Sequence, residues 1–97
     1  MRIYEYELTV KEEYGSKFIL ELEEYVKGKY SFRLVMHSHE KENVLCLETL
    51  KPIIKKDIEN LEEKIKNYGG KIKLCGVGNI KDDYYWLMTH FEINDNE

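Results

Sequence analysis

The stretch LEEYVKGKYSFRL (residues 22–34) has a second, altered copy in LEEKIKNYGGKIKL (residues 61–74), and this repeat decides the predicted fold. The same offset aligns residues 4–10 with residues 43–49, so that YEYELTV falls on NVLCLET. Each half of the chain then consists of a strand, a helix, a glycine turn and a second strand.

Two such units in tandem make the split βαββαβ arrangement that is called ferredoxin-like. We therefore predict a two-layer α+β fold in a single domain over residues 1–97, a length that supports only one core. The segment 84–93, YYWLMTHFEI, lies outside the repeat and is predicted to add a C-terminal strand. The alternative fold is a four-stranded antiparallel meander, followed by one helix and a hairpin.

Two segments carry helical patterns of different clarity. Residues 50–68 show one apolar stripe at helical spacing, formed by Ile54, Ile58, Leu61, Ile65 and Tyr68. Thr49 is expected to cap this helix and Gly69-Gly70 to end it. The charged residues of this helix, Asp57 among them, are interpreted as a solvated face. Residues 16–27 fit both a helix, with Leu20 as the outlier, and a strand, and the repeat favours the helix.

The composition limits the classes of partner. The formal charge of −4 comes from 15 basic and 19 acidic side chains, which disfavours nucleic acid and anionic membranes as ligands. The first residues lack the apolar region of a signal peptide, and the apolar runs are too short to cross a bilayer. We therefore expect a cytoplasmic protein whose two cysteines remain thiols.

Strand alternation predicts which residues share the sheet face that the helices leave open. We expect this face to carry Ile3, Glu5, Glu7, Thr9, Arg33, Val35, His37, His39, Val44, Cys46, Glu48 and Cys75.

The hairpin RLVMHSHEKENVLCLE (residues 33–48) contains the candidate metal ligands. For a hairpin loop of two or four residues, the predicted register places His39 opposite Val44 and His37 opposite Cys46. Such a set, His37, His39 and Cys46, could bind Zn²⁺, Ni²⁺ or Cu²⁺. No established metal motif accompanies these residues, so we favour a plain surface hairpin and expect no metal or other cofactor.

The last predicted strand is apolar on both faces. Tyr84, Trp86 and Met88 would form an apolar patch on the open sheet face, and such patches usually mark association surfaces. We therefore predict a homodimer that forms through the open sheet face or through this strand.

The function predicted from these features is that of a small interaction or regulatory domain that acts by binding. Its acidic, tyrosine-rich composition suits an inhibitor or immunity-type protein that blocks a basic partner. The alternative is a small dimeric α+β-barrel enzyme or metal-binding protein that would use His37, His39, Cys46 and His90. Enzymatic activity is the less favoured of the two, because no nucleophile can be placed beside His90.

Overall fold

The computed structural model of this protein describes residues 2–79 and 91–92. The elements are β1 (Arg2–Lys11), a 3₁₀ turn (Glu12–Tyr14), α1 (Gly15–Val26), β2 (Phe32–His39), β3 (Glu42–Thr49), α2 (Lys55–Lys66) and β4 (Lys71–Asn79). The four strands form an antiparallel sheet in the order β2-β3-β1-β4. The predicted α+β class is confirmed, and the described sheet has the four antiparallel strands of the alternative prediction.

The ambiguous segment 16–27 is helical and forms most of α1. Its buried side chains, Phe18, Leu22 and Val26, recur every four residues, which is the spacing of one helix face. Leu20, the outlier of the helical pattern, is 69% exposed. The helix stops before Gly28, whose φ of +85° is the left-handed conformation that often ends a helix.

Helix α2 is shorter at its start than predicted. Ile54 has extended backbone with φ −68° and ψ 154°, and its side chain is 59% exposed, so its place in the buried stripe was wrong. In this extended stretch Ile53 points inward instead, because neighbouring side chains of an extended chain point in opposite directions. The Thr49 hydroxyl donates to the Lys51 carbonyl oxygen (2.7 Å) and does not cap the helix.

The rest of the predicted helical stripe is confirmed. Leu61 and Ile65 are buried, and Ile58 and Tyr68 pack against the core from its margin. Gly69 has a φ of +66° directly after the last turn, as predicted for a glycine that ends a helix.

Both helices pack on one face of the sheet, and no described helix covers the other face, which we call the open face. Ile3 and Glu48 on this open face are nevertheless buried. The core between the two layers consists of Tyr6, Leu8, Val10, Phe18, Leu22, Val26, Tyr30, Phe32, Leu45, Leu47, Ile53, Leu61 and Ile65. The odd-numbered residues of β1 lie on the open face, opposite the even-numbered ones that enter the core. Among the described residues, no helix is long and apolar enough to cross a membrane.

Two residues near the C-terminus contact the sheet. Glu92 and Phe32 exchange backbone hydrogen bonds of 2.8 and 3.0 Å at the start of β2. Phe91 packs against Ile3 and Leu50 in a small second apolar cluster. The remainder of the predicted strand 84–93 lies outside the described residues.

Candidate functional site

The hairpin between β2 and β3 has a different register from the one predicted. The turn consists of Glu40 and Lys41 alone, and the pairing places His37 opposite Val44 and His39 opposite Glu42. Each predicted pair is therefore displaced by two residues, because the chain turns more tightly than the predicted register requires.

The shift of two residues in the register leaves each side chain on its predicted face of the sheet, but it separates the candidate metal ligands. His37, His39 and Cys46 all lie on the open face, yet Cys46 is opposite Val35 and not opposite His37. Within residues 2–79 and 91–92, no group of three or more His, Cys, Asp or Glu side chains is arranged to hold a metal ion. The other sequence candidates, Tyr84, Trp86, Met88 and His90, lie outside the described residues.

Three carboxylates dominate the centre of the open face. Glu5 and Glu48 are directly opposite each other on β1 and β3. Glu48 is only 8% exposed, and its Oε1 accepts a 2.8 Å hydrogen bond from Nε of Arg33 and a second contact from Nη2. Glu7 lies 3.8 Å from the ammonium of Lys73. Glu5, which is exposed, has no hydrogen bond or ion pair in the described part of the chain.

The two cysteines flank Glu7 on neighbouring strands. Cys46 is paired with Glu7 across β3 and β1, and the Cys75 thiol donates to Glu7 Oε2 over 3.5 Å. Burial, together with the Glu5 and Glu7 carboxylates, raises the pKa of the Cys46 thiol. Burial and the hydrogen bond to Glu7 likewise raise the pKa of Cys75. Both groups are therefore protonated thiols at neutral pH and are poor nucleophiles.

A cleft of about 290 Å³ opens beside Glu5 at the end of β4. Its wall and floor are formed by Ile3, Glu5, Glu48, Cys75, Gly76, Val77, Gly78 and Asn79. Gly76 is opposite Glu5 and Gly78 is opposite Ile3, so two positions on this side of β4 lack a side chain. The side chain of Glu5 can therefore be reached from the β4 edge of the sheet.

Neither glycine is required by its backbone conformation. The positive φ values among the glycines belong to Gly28 and Gly69, so Gly76 and Gly78 have backbone that other residues adopt. A Cβ built on either of them meets no described atom within 4 Å. Glycine weakens a strand, and in strands it often marks a place where a ligand or another backbone approaches closely. Among the described atoms, the space over Gly76 and Gly78 is therefore open.

A second polar cluster lies on the helix side and was missed in the sequence. Asp57, interpreted above as part of a solvated face, is only 7% exposed. It accepts hydrogen bonds from the hydroxyls of Tyr30 (2.6 Å) and Tyr25 (2.9 Å), and Lys29 Nζ lies 3.4 Å away. Asp57 lies in the first turn of α2, where acids are favoured, but a helix predicted to start at residue 50 concealed this signal.

These contacts determine the ionisation of the cluster. Burial works to raise the pKa of Asp57, but the hydrogen bonds from Tyr30 and Tyr25 and the charge of Lys29 hold that pKa below its usual range. Burial and the hydrogen bond to Asp57 raise the pKa of Tyr30 to about 12. The Tyr30 hydroxyl also accepts from the Ile54 backbone N–H at 3.0 Å. The cluster therefore anchors the start of α2, which is a structural role.

Comparison with protein-family models, with curated proteins and with solved structures finds no match to this chain. Its function is therefore inferred from the geometry of the open face.

Proposed function

We propose that this protein is a small interaction domain that acts by binding a basic segment of a partner protein on its open face. The observation that carries this proposal is the cleft beside Gly76 and Gly78, in which the exposed carboxylate of Glu5 has no partner among the described residues. A lysine or arginine side chain of the partner would enter the cleft and pair with Glu5. The partner's backbone would approach over the two glycines.

The charges of the open face favour a cationic partner. Glu5, Glu7 and Glu48 lie on adjacent central strands, and in the described part of the chain Arg33 pairs with Glu48 and Lys73 with Glu7. Complementary charge accelerates association and discriminates between partners, and its effect weakens as salt is added. The chain as a whole has a formal charge of −4, which adds to the attraction.

The fold and the location are parts of the same proposal. The element order β-α-β-β-α-β, with strand order β2-β3-β1-β4 and both helices on one face, supports assignment to the ferredoxin-like class. Folds of this kind host many unrelated functions, so the binding role rests on the cleft and not on the fold. An inhibitor or immunity-type role accords with the acidic composition. The cytoplasmic location and the homodimer belong to the same proposal.

The test is a binding titration with two synthetic decapeptides, one of alternating valine and arginine and one of alternating valine and glutamate. We expect the arginine peptide to bind at low salt and the glutamate peptide not to bind. Glu5→Lys should weaken binding of the arginine peptide at least about tenfold, since it replaces attraction by repulsion in a partly desolvated cleft.

The matched control is Glu59→Lys, which makes the same charge change at an exposed position of α2 on the other layer. This variant should bind the arginine peptide nearly as well as the unmodified protein. If Glu5→Lys and Glu59→Lys lowered the affinity for the arginine peptide equally, only the net charge would matter. The cleft would then be excluded as the binding site.

A further inference from the structure

We infer that the outer edge of β4 is an interface with a second copy of this chain, in which the two β4 strands pair antiparallel across a two-fold axis. The inference deepens the proposed function, because it rests on the proposed homodimer and states which surface forms it. It depends on residues 73–78 of β4 and not on the charge of Glu5.

Strand β4 is an end strand of the sheet among the described residues. Every residue of β4 is exposed except Ile72, which is partly buried. Exposed edges are usually protected by charges, because their free N–H and C=O groups can pair with other chains. Lys71 and Lys73 protect the first part of β4, whereas residues 74–79, LCGVGN, have no charged side chain.

A bulge brings the two exposed apolar residues of this unprotected part to one side. Leu74 is opposite Tyr6 and Gly76 is opposite Glu5, so Cys75 is an extra residue on β4. Leu74 and Val77 consequently both lie on the helix side of the sheet, where they are 56% and 53% exposed. Without the bulge, residues three apart would point to opposite faces.

Because Leu74 and Val77 lie three residues apart on the same side of the sheet, the outer edge of β4 is complementary to the same edge of a second copy. In an antiparallel pairing that places Leu74 of one copy opposite Val77 of the other, both Leu74–Val77 contacts form on the helix side. Cys75 then lies opposite Gly76 of the other copy, on the open face. Such cross-strand apolar pairs are the usual source of stability between strands.

The lysines favour the antiparallel arrangement. Lys73 would lie opposite the uncharged Gly78 of the other copy, and the two Lys73 residues would be about 17 Å apart along the strands. This separation exceeds the Debye length of about 8 Å at physiological salt, so their repulsion is screened. A parallel pairing in register would instead bring the two Lys73 side chains together.

The dimer would join the two clefts into one groove. Glu5 lies on β1, the neighbour of β4, so three strand spacings would separate the two Glu5 residues of the dimer. This corresponds to about 14 Å across the extended sheet. A partner segment with two basic side chains at that separation would engage both carboxylates, which raises its affinity over that of a single contact. The dimer therefore selects a partner with paired cationic groups.

The first test is sedimentation equilibrium of the full chain without any peptide. We expect a dimer for the unmodified protein and a monomer for Leu74→Lys at the same concentration, with unchanged circular dichroism because Leu74 is more than half exposed. The matched control is Leu20→Lys on α1, at a side chain of similar exposure, which should remain dimeric. A monomeric unmodified protein, or a dimer that survives Leu74→Lys, would overturn the inference.

The second test uses the native cysteines and does not depend on a destabilising substitution. In the paired strands the two Cys75 residues are diagonal neighbours with Cα atoms about 6 Å apart, within reach of a disulfide. Diamide at a pH alkaline enough to ionise the thiols takes up the two thiol hydrogens and should give a covalent dimer that Cys75→Ser abolishes and Cys46→Ser does not. A covalent dimer through Cys46, or none at all, would contradict the pairing.

The two proposals can fail separately. Glu5→Lys should remain dimeric by sedimentation while losing the peptide, and Leu74→Lys should still bind the peptide as a monomer, although more weakly.

Discussion

Replacing Gly76 with alanine should make this protein more stable. The position has ordinary strand backbone, and an added methyl group would meet no described atom within 4 Å. The substitution removes conformational freedom from the unfolded chain without strain in the folded one, which stabilises a protein by about 0.5–1 kcal/mol. For a domain of this size that corresponds to a rise in Tm of about 2–8 °C.

The matched comparison is Gly70→Ala in the same chain. A Cβ at Gly70 would lie 2.0 Å from the Thr9 carbonyl oxygen and 2.9 Å from Cγ1 of the Ile65 side chain. The first of these atoms is backbone and cannot move aside cheaply, so we expect a loss of about 1–3 kcal/mol, as for other overpacked sites. The two substitutions, Gly76→Ala and Gly70→Ala, should therefore change the free energy of unfolding in opposite directions.

The assay is urea unfolding followed by far-ultraviolet circular dichroism at one fixed protein concentration, because the proposed dimer would have a stability that depends on concentration. The urea midpoint should rise for Gly76→Ala with an unchanged slope, since the surface exposed on unfolding is the same. A loss of more than about 0.5 kcal/mol at Gly76 would mean that another part of the molecule fills the cleft. In that case both the cleft and the role proposed for it would be refuted.

Three further outcomes are expected. Leu61→Ala should cost about 2–4 kcal/mol in urea unfolding, because Leu61 is fully buried, and a loss under about 0.5 kcal/mol would contradict the packing of α2. Because the folded-state pKa of Asp57 is lowered, its contribution to stability is present above the unfolded pKa of about 3.9 and is lost as pH falls through the folded value. Asp57→Asn should therefore flatten the stability profile below about pH 5, and an unchanged profile would exclude Asp57 as its cause. The double change His37→Ala and His39→Ala should leave the unfolding free energy nearly unaltered, since both side chains are exposed, and elemental analysis should find no stoichiometric metal.

The sequence by itself determined which side chains share a face. Alternation in β1 assigned Glu5 and Glu7 to the open face and Leu8 to the core, and the helical spacing of Leu61 and Ile65 located their burial in α2. These assignments depend only on the period of a strand or a helix, which is a local property of the backbone. The displaced hairpin register did not disturb them, because a shift of two residues leaves every side chain on its face.

Only the tertiary structure decided which residues lie opposite one another. The tight turn at Glu40 set the partners of His37, and the extra residue Cys75 turned Leu74 and Val77 to the same side. Neither a turn length nor a bulge follows from alternation, because both are settled by the fit between strands that are distant in sequence.

The burial of Asp57 was also decided only by the tertiary structure. A carboxylate is normally expected in solvent, and it becomes stable inside a protein only when donors surround it. The donors here, Tyr25 and Tyr30, come from the end of α1 and the loop after it, and they meet Asp57 only when the two helices are packed on the sheet. The cleft beside Glu5 likewise exists only once β4 lies against β1, because Gly76 then faces Glu5 across the two strands.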